Sequence, residues 1–336
     1  QQWIMALAVV DRISFYSSPN LKDWTKESEF GANIGAHGGV WECPDLFELQ
    51  VEGTQDKKWV LLVSINPGAP NGGSGTQYFI GDFDGKNFTL DEQFSALVGK
   101  EGVWLDYGRD NYAGVTWANV PKEDGRRLFM GWMSNWDYAN VVPTEKWRSA
   151  MTVARSLTLE NTPNGLRVVS QPVEELKAIY GASHELNSIT VTDSLHISEK
   201  LPFSTSTFAI NVDLEAVAEG TSFSIEISNS KNQKYVLGYN AQNEQYFTDR
   251  TRAGGNEFSE NFAGIHYAPR NATGNSFSLE ILVDVASMEL FADGGRTVMT
   301  DIFFPDEEFN IIKLRVEKGQ LKLKSGKVTE ITSMYQ

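Results

Sequence analysis

Residues 58–85 contain two apolar runs, Lys58-Trp59-Val60-Leu61-Leu62-Val63-Ser64-Ile65 and Thr76-Gln77-Tyr78-Phe79-Ile80-Gly81-Asp82-Phe83. Asn66-Pro67-Gly68 follows the first and Asp84-Gly85 closes the second. Each run is eight residues long, rich in β-branched and aromatic side chains, and bounded by turn formers, which marks a strand rather than a helix. The same signature recurs outward from this pair at Trp3–Val10, Arg12–Ser17, Gly114–Ala118 and Arg127–Ser134, with Ser18-Pro19-Asn20 as a further break. Four-stranded units spaced at roughly 40–45 residues suit propeller blades. Leu21-Lys22-Asp23-Trp24 and Gly81-Asp82-Phe83-Asp84-Gly85 read as the closing turns of two such units.

Farther along, strands lengthen and alternate more cleanly: Thr205–Leu214, Thr221–Ile227, Lys234–Tyr239, Ser276–Val283, Ser287–Phe291, Ile311–Val316 and Leu321–Val328. Asp293-Gly294-Gly295 between Met288–Ala292 and Arg296–Thr300 is a hairpin signal. Strands at this spacing predict a sandwich of two sheets. Between the β regions, Gln171–Lys177 places Pro172 in a first turn with Glu174 and Glu175 behind it, predicting a short helix with Val173, Leu176 and Tyr180 on one face. The expected organisation is all-β: a propeller region over 1–168, a linker with a short helix over 169–182, and a β-sandwich over 183–336.

Composition narrows the function. A net charge of −15 lacks the clustered Lys and Arg that nucleic acid or an anionic membrane surface requires. No apolar run approaches a membrane-spanning length. The single cysteine, Cys43, excludes a disulfide within the chain, and four His without H-E-x-x-H or C-x-x-C spacing argue against a catalytic zinc. Nine Trp suit a sugar ligand, whose apolar ring faces stack on aromatic side chains, although core filling is the commoner use.

The chemistry concentrates in Trp41-Glu42-Cys43-Pro44-Asp45-Leu46-Phe47. A carboxyl between Trp41 and Cys43, stiffened by Pro44, is expected to be desolvated, to titrate high and to serve as a general acid; a structural Glu bonded to backbone is the alternative. Glycosidic hydrolysis uses such an acid with a second carboxylate as nucleophile or base.

This heptad resembles the acid/base motif of the invertase, inulinase and levanase family, glycoside hydrolase family 32. Asp106-Tyr107-Gly108-Arg109-Asp110-Asn111-Tyr112-Ala113 is similar to the family's D-x-G-K-D-F-Y-A stretch. Gly131-Trp132-Met133-Ser134-Asn135-Trp136-Asp137-Tyr138, then Val142-Pro143-Thr144 and Trp147-Arg148, resembles its next block. Gln171–Leu176 resembles its linker, and Tyr246–Thr251 and Glu289–Gly294 resemble signatures of its second domain. The resemblance implies a partial five-bladed propeller followed by a sandwich. It also implies retaining cleavage of terminal β-fructofuranosyl linkages in sucrose, levan or inulin, with Glu42 as acid/base. The enzyme would be secreted or periplasmic and would need no cofactor or metal.

Two of the family's three carboxylates have no counterpart. Its nucleophile lies in W-M-N-D-P-N-G and its stabilising Asp in R-D-P, yet no Asp-Pro dipeptide occurs in these 336 residues. Asp45 stands three residues from Glu42, and strand alternation would point the two to opposite faces. The expectation is therefore a C-terminal portion of a longer enzyme, inactive alone, with open sheet edges through which it could form a homodimer. A non-catalytic carbohydrate-binding protein and a fructosyltransferase of the same fold are the alternatives. Arg109 stands where the family usually has Lys, Asn111 where Phe is common, and Ala154-Arg155 where Pro-Arg is common. Asp106 and Arg109 are read as a charged, substrate-binding pair at the pocket rim, and Trp136 as a sugar contact. Tyr112 and Trp132 are read as core, Cys43 as a packing residue, Asn66–Gly75 as a surface loop, and Asp249-Arg250 as an internal ion pair.

Overall fold

The computed structural model describes residues 2–203 and 206–333 and is built almost entirely of antiparallel strands. Three sheets come first. The first holds Trp3–Val9, Arg12–Ser18 and Thr25–Phe30; the second holds Val40–Gln50, Lys57–Asn66, Gly75–Phe83 and Phe88–Leu90. The third holds Tyr112–Thr116, Arg127–Met133, Arg155–Thr162 and Gly165–Pro172, with the short strand Ala150–Met151 beside Arg127–Met133. Each is the up-and-down meander expected of a blade.

The two apolar runs pair directly, with Leu61 opposite Phe79 and Val63 opposite Gln77. Val60, Leu61, Leu62 and Val63 are all 0% exposed, so both faces of this strand are covered. That explains the unbroken apolar run: a strand sandwiched between neighbouring sheets has no solvent face to alternate with. Phe30 packs edge-on to Phe79 at 5.0 Å and to Phe88 at 4.8 Å, joining the first sheet to the second.

Two departures are local. Glu92–Val98 is an α-helix that the sequence reading did not predict. Asp91 caps it by accepting from the backbone N–H groups of Gln93 and Phe94, and it buries Phe94 and Val98. The predicted linker helix is only a 3₁₀ turn, Glu174–Ile179. Gln171 and Pro172 remain extended because they pair with Ser156 and Arg155 in the third sheet, leaving six residues for the turn. Leu176 and Tyr180 nevertheless pack on the cluster of Ala209, Leu282, Phe291 and Val298.

The sandwich pairs a seven-stranded sheet with a six-stranded one. The first runs Tyr180–Leu186, Leu321–Ile331, Phe208–Ala216, Ser276–Asp284, Ser287–Ala292, Thr297–Ile302, with Ile189–Val191 also on Leu321–Ile331. The second runs Ser194–His196, Ile311–Lys318, Ser222–Ser228, Lys234–Asn240, Gln245–Arg252, Ile265–Pro269. The predicted strand from Thr205 begins at Phe208; Thr205 itself lies outside the described residues. The Asp293-Gly294-Gly295 hairpin forms, joining Ser287–Ala292 to Thr297–Ile302.

A buried polar seam joins the sandwich to the third sheet. Arg155, 0% exposed, donates from Nη1 to Asp106 at 2.9 Å and from Nη2 to Glu289 at 2.6 Å and Thr300 Oγ1 at 2.7 Å. Asp106 also accepts from the Thr300 backbone N–H at 2.9 Å. Gly108 is required here, because a Cβ at this position would sit 2.0 Å from the Thr300 nitrogen. Arg250 donates to Asp110 at 2.6 Å and to the Tyr138 hydroxyl at 2.9 Å, while Tyr138 donates to Asp110. The expected Asp249–Arg250 pair does not form. Adjacent strand residues face opposite ways, so Arg250 turns into the seam while Asp249 accepts from Thr251.

Candidate active site

Glu42 lies on Val40–Gln50, between a buried Trp41 and a half-buried Cys43. Trp41 is 1% exposed, donates from Nε1 to the Ala36 carbonyl at 3.0 Å and stacks on His37. The anchored indole turns the next side chain outward, and Glu42 is exposed rather than dried as its neighbours suggested. The desolvation falls on the residues around it. Burial, and then the Glu42 charge, push the Cys43 thiol above its ordinary value, the reverse of what an activated nucleophile needs.

Tyr112 donates its hydroxyl to Glu42 across the two sheets. Burial and this carboxylate partner raise the phenol far above its usual range, so Tyr112 remains a proton donor. It is 3% exposed and does pack as a core residue, but its hydroxyl has a second role that the sequence reading missed. Its place in the Asp106–Ala113 stretch gives no hint of this role, because the bond spans 70 positions.

The Cys43-Pro44 segment also changes a parity argument. Glu42 pairs with Ser64 and Asp45 with Leu62, so three steps on one strand match two on the other. This is a β-bulge, with Cys43 at φ 48°, and it returns Glu42 and Asp45 to the same face of the sheet. The alternation expected of a regular strand therefore fails here. Asp45 is nonetheless engaged, since Oδ2 accepts from the Thr116 backbone N–H at 2.6 Å and from Thr116 Oγ1 at 2.7 Å.

Asp106 and Arg109 are not a pair. Asp106 is 4% exposed and belongs to the seam with Arg155, its oxygens further bonded by Gly108, Asn111 and Thr300. Arg109 bonds Asp137 and donates to the Asn261 carbonyl at 2.6 Å. The intervening turn separates them: Asp106 accepts from the Gly108 N–H at 2.9 Å, which folds the chain back and sends Arg109 the other way.

Trp136 is 49% exposed and packs its ring 4.9 Å from Trp132, which in turn lies edge-on to Tyr112 at 6.3 Å. The aromatic row thus leads from the solvent face to the Glu42 partner. Its outer end is firmly held. The Trp136 N–H donates to Ser74 Oγ at 3.1 Å, and Asn135 Nδ2 donates to the Arg109 carbonyl at 2.8 Å. The segment from Asn66 to Gly75 is therefore a half-buried bracket under the Asn135–Asp137 turn rather than a plain surface loop. Gly73 allows this closeness, because a Cβ there would lie 2.1 Å from Asn135 Oδ1. Among the described residues, no cluster of three or more His, Cys, Asp or Glu is placed to hold a metal ion.

Residues 1–172 match the model of the glycosyl hydrolases family 32 N-terminal domain, and residues 175–330 match that of the glycosyl hydrolases family 32 C terminal. The chain belongs to glycosyl hydrolase family 32. Among family 32 relatives, a levanase of Bacillus subtilis (strain 168) is 43% identical over 329 residues, covering 97% of this chain and 48% of that protein. An extracellular exo-inulinase of Aspergillus niger is 36% identical over 315 residues, covering 92% of this chain and 58% of that one. The solved exo-inulinase of Aspergillus awamori superposes with a TM-score of 0.88 at 31% identity, over 100% of this chain and 65% of that one. A fructofuranosidase of Schwanniomyces occidentalis, complexed with fructosylnystose, superposes at 0.85 with 28% identity, over 99% and 68%. The three blade-like sheets thus belong to the family's propeller, and the two sheets after them form its sandwich. The chain spans about half the length of the curated relatives it matches.

Proposed function

We propose that this chain carries the acid/base part of a retaining β-fructofuranosidase site, acting on terminal fructosyl residues of sucrose, levan or inulin, in a secreted protein. The observation that carries this reading is Glu42, an exposed carboxyl on a bulged strand, oriented by a Tyr112 hydroxyl that burial keeps protonated. In the first step, the Glu42 carboxylic acid gives its proton to the glycosidic oxygen as the C–O bond to fructose breaks and a carboxylate nucleophile, assigned here to no residue of the chain, bonds the fructosyl carbon. The Tyr112 O–H then stabilises the carboxylate that proton delivery leaves behind. In the second step, the Glu42 carboxylate takes a proton from water as the water oxygen bonds the fructosyl carbon and displaces the nucleophile, releasing fructose. Trp136 offers an apolar face to the leaving sugar, with Arg109 and Asp137 supplying polar contacts beside it.

On this reading Asp45, Asp106 and Asp110 do not act as the nucleophile. Asp45 shares Glu42's face but is committed to Thr116, and Asp106 and Asp110 are locked in the seam. Family 32 membership and the levanase and exo-inulinase relatives support the substrate class. The test is fructose release by the 336-residue chain from sucrose, inulin and levan, beside Glu42→Gln. The reading predicts no release from either. Release that Glu42→Gln abolishes would mean that a carboxylate within this chain acts as nucleophile.

A further inference from the structure

The segment carrying Arg109 is tied to the sandwich by backbone bonds from Tyr107 to Val298 and from Asp110 to Thr300, and by the Arg109 guanidinium on the Asn261 carbonyl. Two further contacts, made by polar side chains, add to these. The first is Asp301, on the sandwich strand Thr297–Ile302 and 0% exposed. Its Oδ1 accepts the Arg109 backbone N–H at 3.0 Å. Its remaining capacity is taken by Tyr235 at 2.8 Å, Thr248 at 2.6 Å and His266 Nδ1 at 2.9 Å, all from the six-stranded sheet. Asp301 is therefore rigidly held before it meets Arg109. The second contact is Asn71, in the bracket under Trp136. Its Nδ2 donates to the Tyr107 carbonyl at 2.6 Å and the Tyr267 carbonyl at 3.0 Å, and its Oδ1 accepts the Tyr267 N–H at 3.0 Å.

We infer that Asp301 and Asn71 are positioning residues through which the sandwich sets the geometry of the sugar rim. The path is short. Asp301 fixes the Arg109 backbone; the Arg109 carbonyl accepts from Asn135, and its guanidinium holds Asp137. Trp136 lies between those two residues. Asn71 holds the bracket whose Ser74 hydroxyl takes the Trp136 N–H. Neither residue adds a group that touches sugar. Each removes freedom from the turn that presents Trp136, and binding is strengthened when such ordering is done in advance.

This inference rests on the proposed function, so its test has one arm that needs no ligand. In amide hydrogen exchange on the full 336-residue chain, Asp301→Ala should speed exchange at 107–111 and 134–138 by about tenfold or more, the scale of one lost buried hydrogen bond. The strand Lys57–Asn66 should remain as protected as in the parent. Asp301→Asn, which keeps an oxygen for the Arg109 N–H, should restore most of the protection. Should Asp301→Ala not fold, Asn71→Ala, at a partly exposed site, is expected to loosen the same two segments. Unchanged exchange at 134–138 in the variants that fold overturns the inference, as does Asp301→Asn behaving like Asp301→Ala. The second arm titrates 1-kestose by calorimetry. Asp301→Ala and Trp136→Ala should each weaken binding, with little further loss in the double variant; additive losses would count against the inference. Absence of kestose binding by the parent chain would sink the sugar-rim reading, while the exchange result would still decide the positioning claim.

Discussion

The seam and the Glu42 face use the same residue types to opposite ends. In the seam, Asp106, Asp110, Glu289 and Asp301 are almost wholly buried, and each is matched by an Arg or His and by backbone N–H or hydroxyl donors. On the other face Glu42 is exposed, with one hydroxyl donor. A buried carboxylate with every lone pair engaged has nothing left to offer a substrate, and removing any partner leaves a charge stranded. An exposed carboxyl with a single orienting donor keeps an oxygen open to a substrate. Of the two settings, the lightly partnered acid on the open face, rather than the elaborately bonded ones in the seam, is suited to chemistry.

The sharpest way to break this contrast is Arg155→Ala. It strands Asp106 and Glu289 together in the seam, and the expected cost is about 3–5 kcal/mol, read as a lower thermal or denaturant midpoint. Glu42→Gln should leave the same midpoint nearly unchanged. Equal losses from the two would erase the distinction between seam and face.

A smaller effect concerns acid. His266 and the donors around it hold the Asp301 carboxyl well below its ordinary value. A depressed carboxylate contributes stability that is present above its unfolded value, near pH 4, and is lost as pH falls from there toward its folded value. Asp301→Asn should therefore flatten the acid limb of a stability profile below about pH 4. An unchanged limb would show that other carboxylates govern it.

The smallest effect is on Cys43. Its thiol is held above its ordinary value by burial and by Glu42, so alkylation should be slow and should rise with pH to a late midpoint. Removing the negative charge in Glu42→Gln lowers the thiol value and should speed alkylation at pH 8 by about two- to fivefold. No change would place the Glu42 carboxylate farther from the sulfur than the structure has it.

What could be read in advance follows the range of the interactions. Lys58–Ile65 was legible as a strand because eight consecutive residues carry the pattern. Glu42 was legible from its immediate neighbours, although the same neighbours misled about its burial, since an anchored Trp41 turns Glu42 out to solvent. The helix Glu92–Val98 had a usable signal in Asp91 at its cap and the Phe94–Val98 spacing. Tyr112 and Arg155 lay in family-like stretches that gave no hint of what they bond, and Asp301 had no signal, because their partners lie far along the chain and across sheets. Sequence adjacency was a false guide at Asp106 and Arg109, and again at Asp249 and Arg250; turns and strand alternation separate neighbours by default. The bulge at Cys43-Pro44 could not be read from residue types alone, and it reversed the face on which Asp45 lies.

The most direct test of the central claim is carboxyl footprinting of the native chain, with a water-soluble carbodiimide and a nucleophilic amine, read by peptide mass with and without 1-kestose. The account predicts that Glu42 is labelled and that kestose protects it, while Asp106, Asp110, Glu289 and Asp301 stay unlabelled in both conditions. Labelling of seam acids in the folded chain, or kestose protection that falls elsewhere than Glu42, would contradict it.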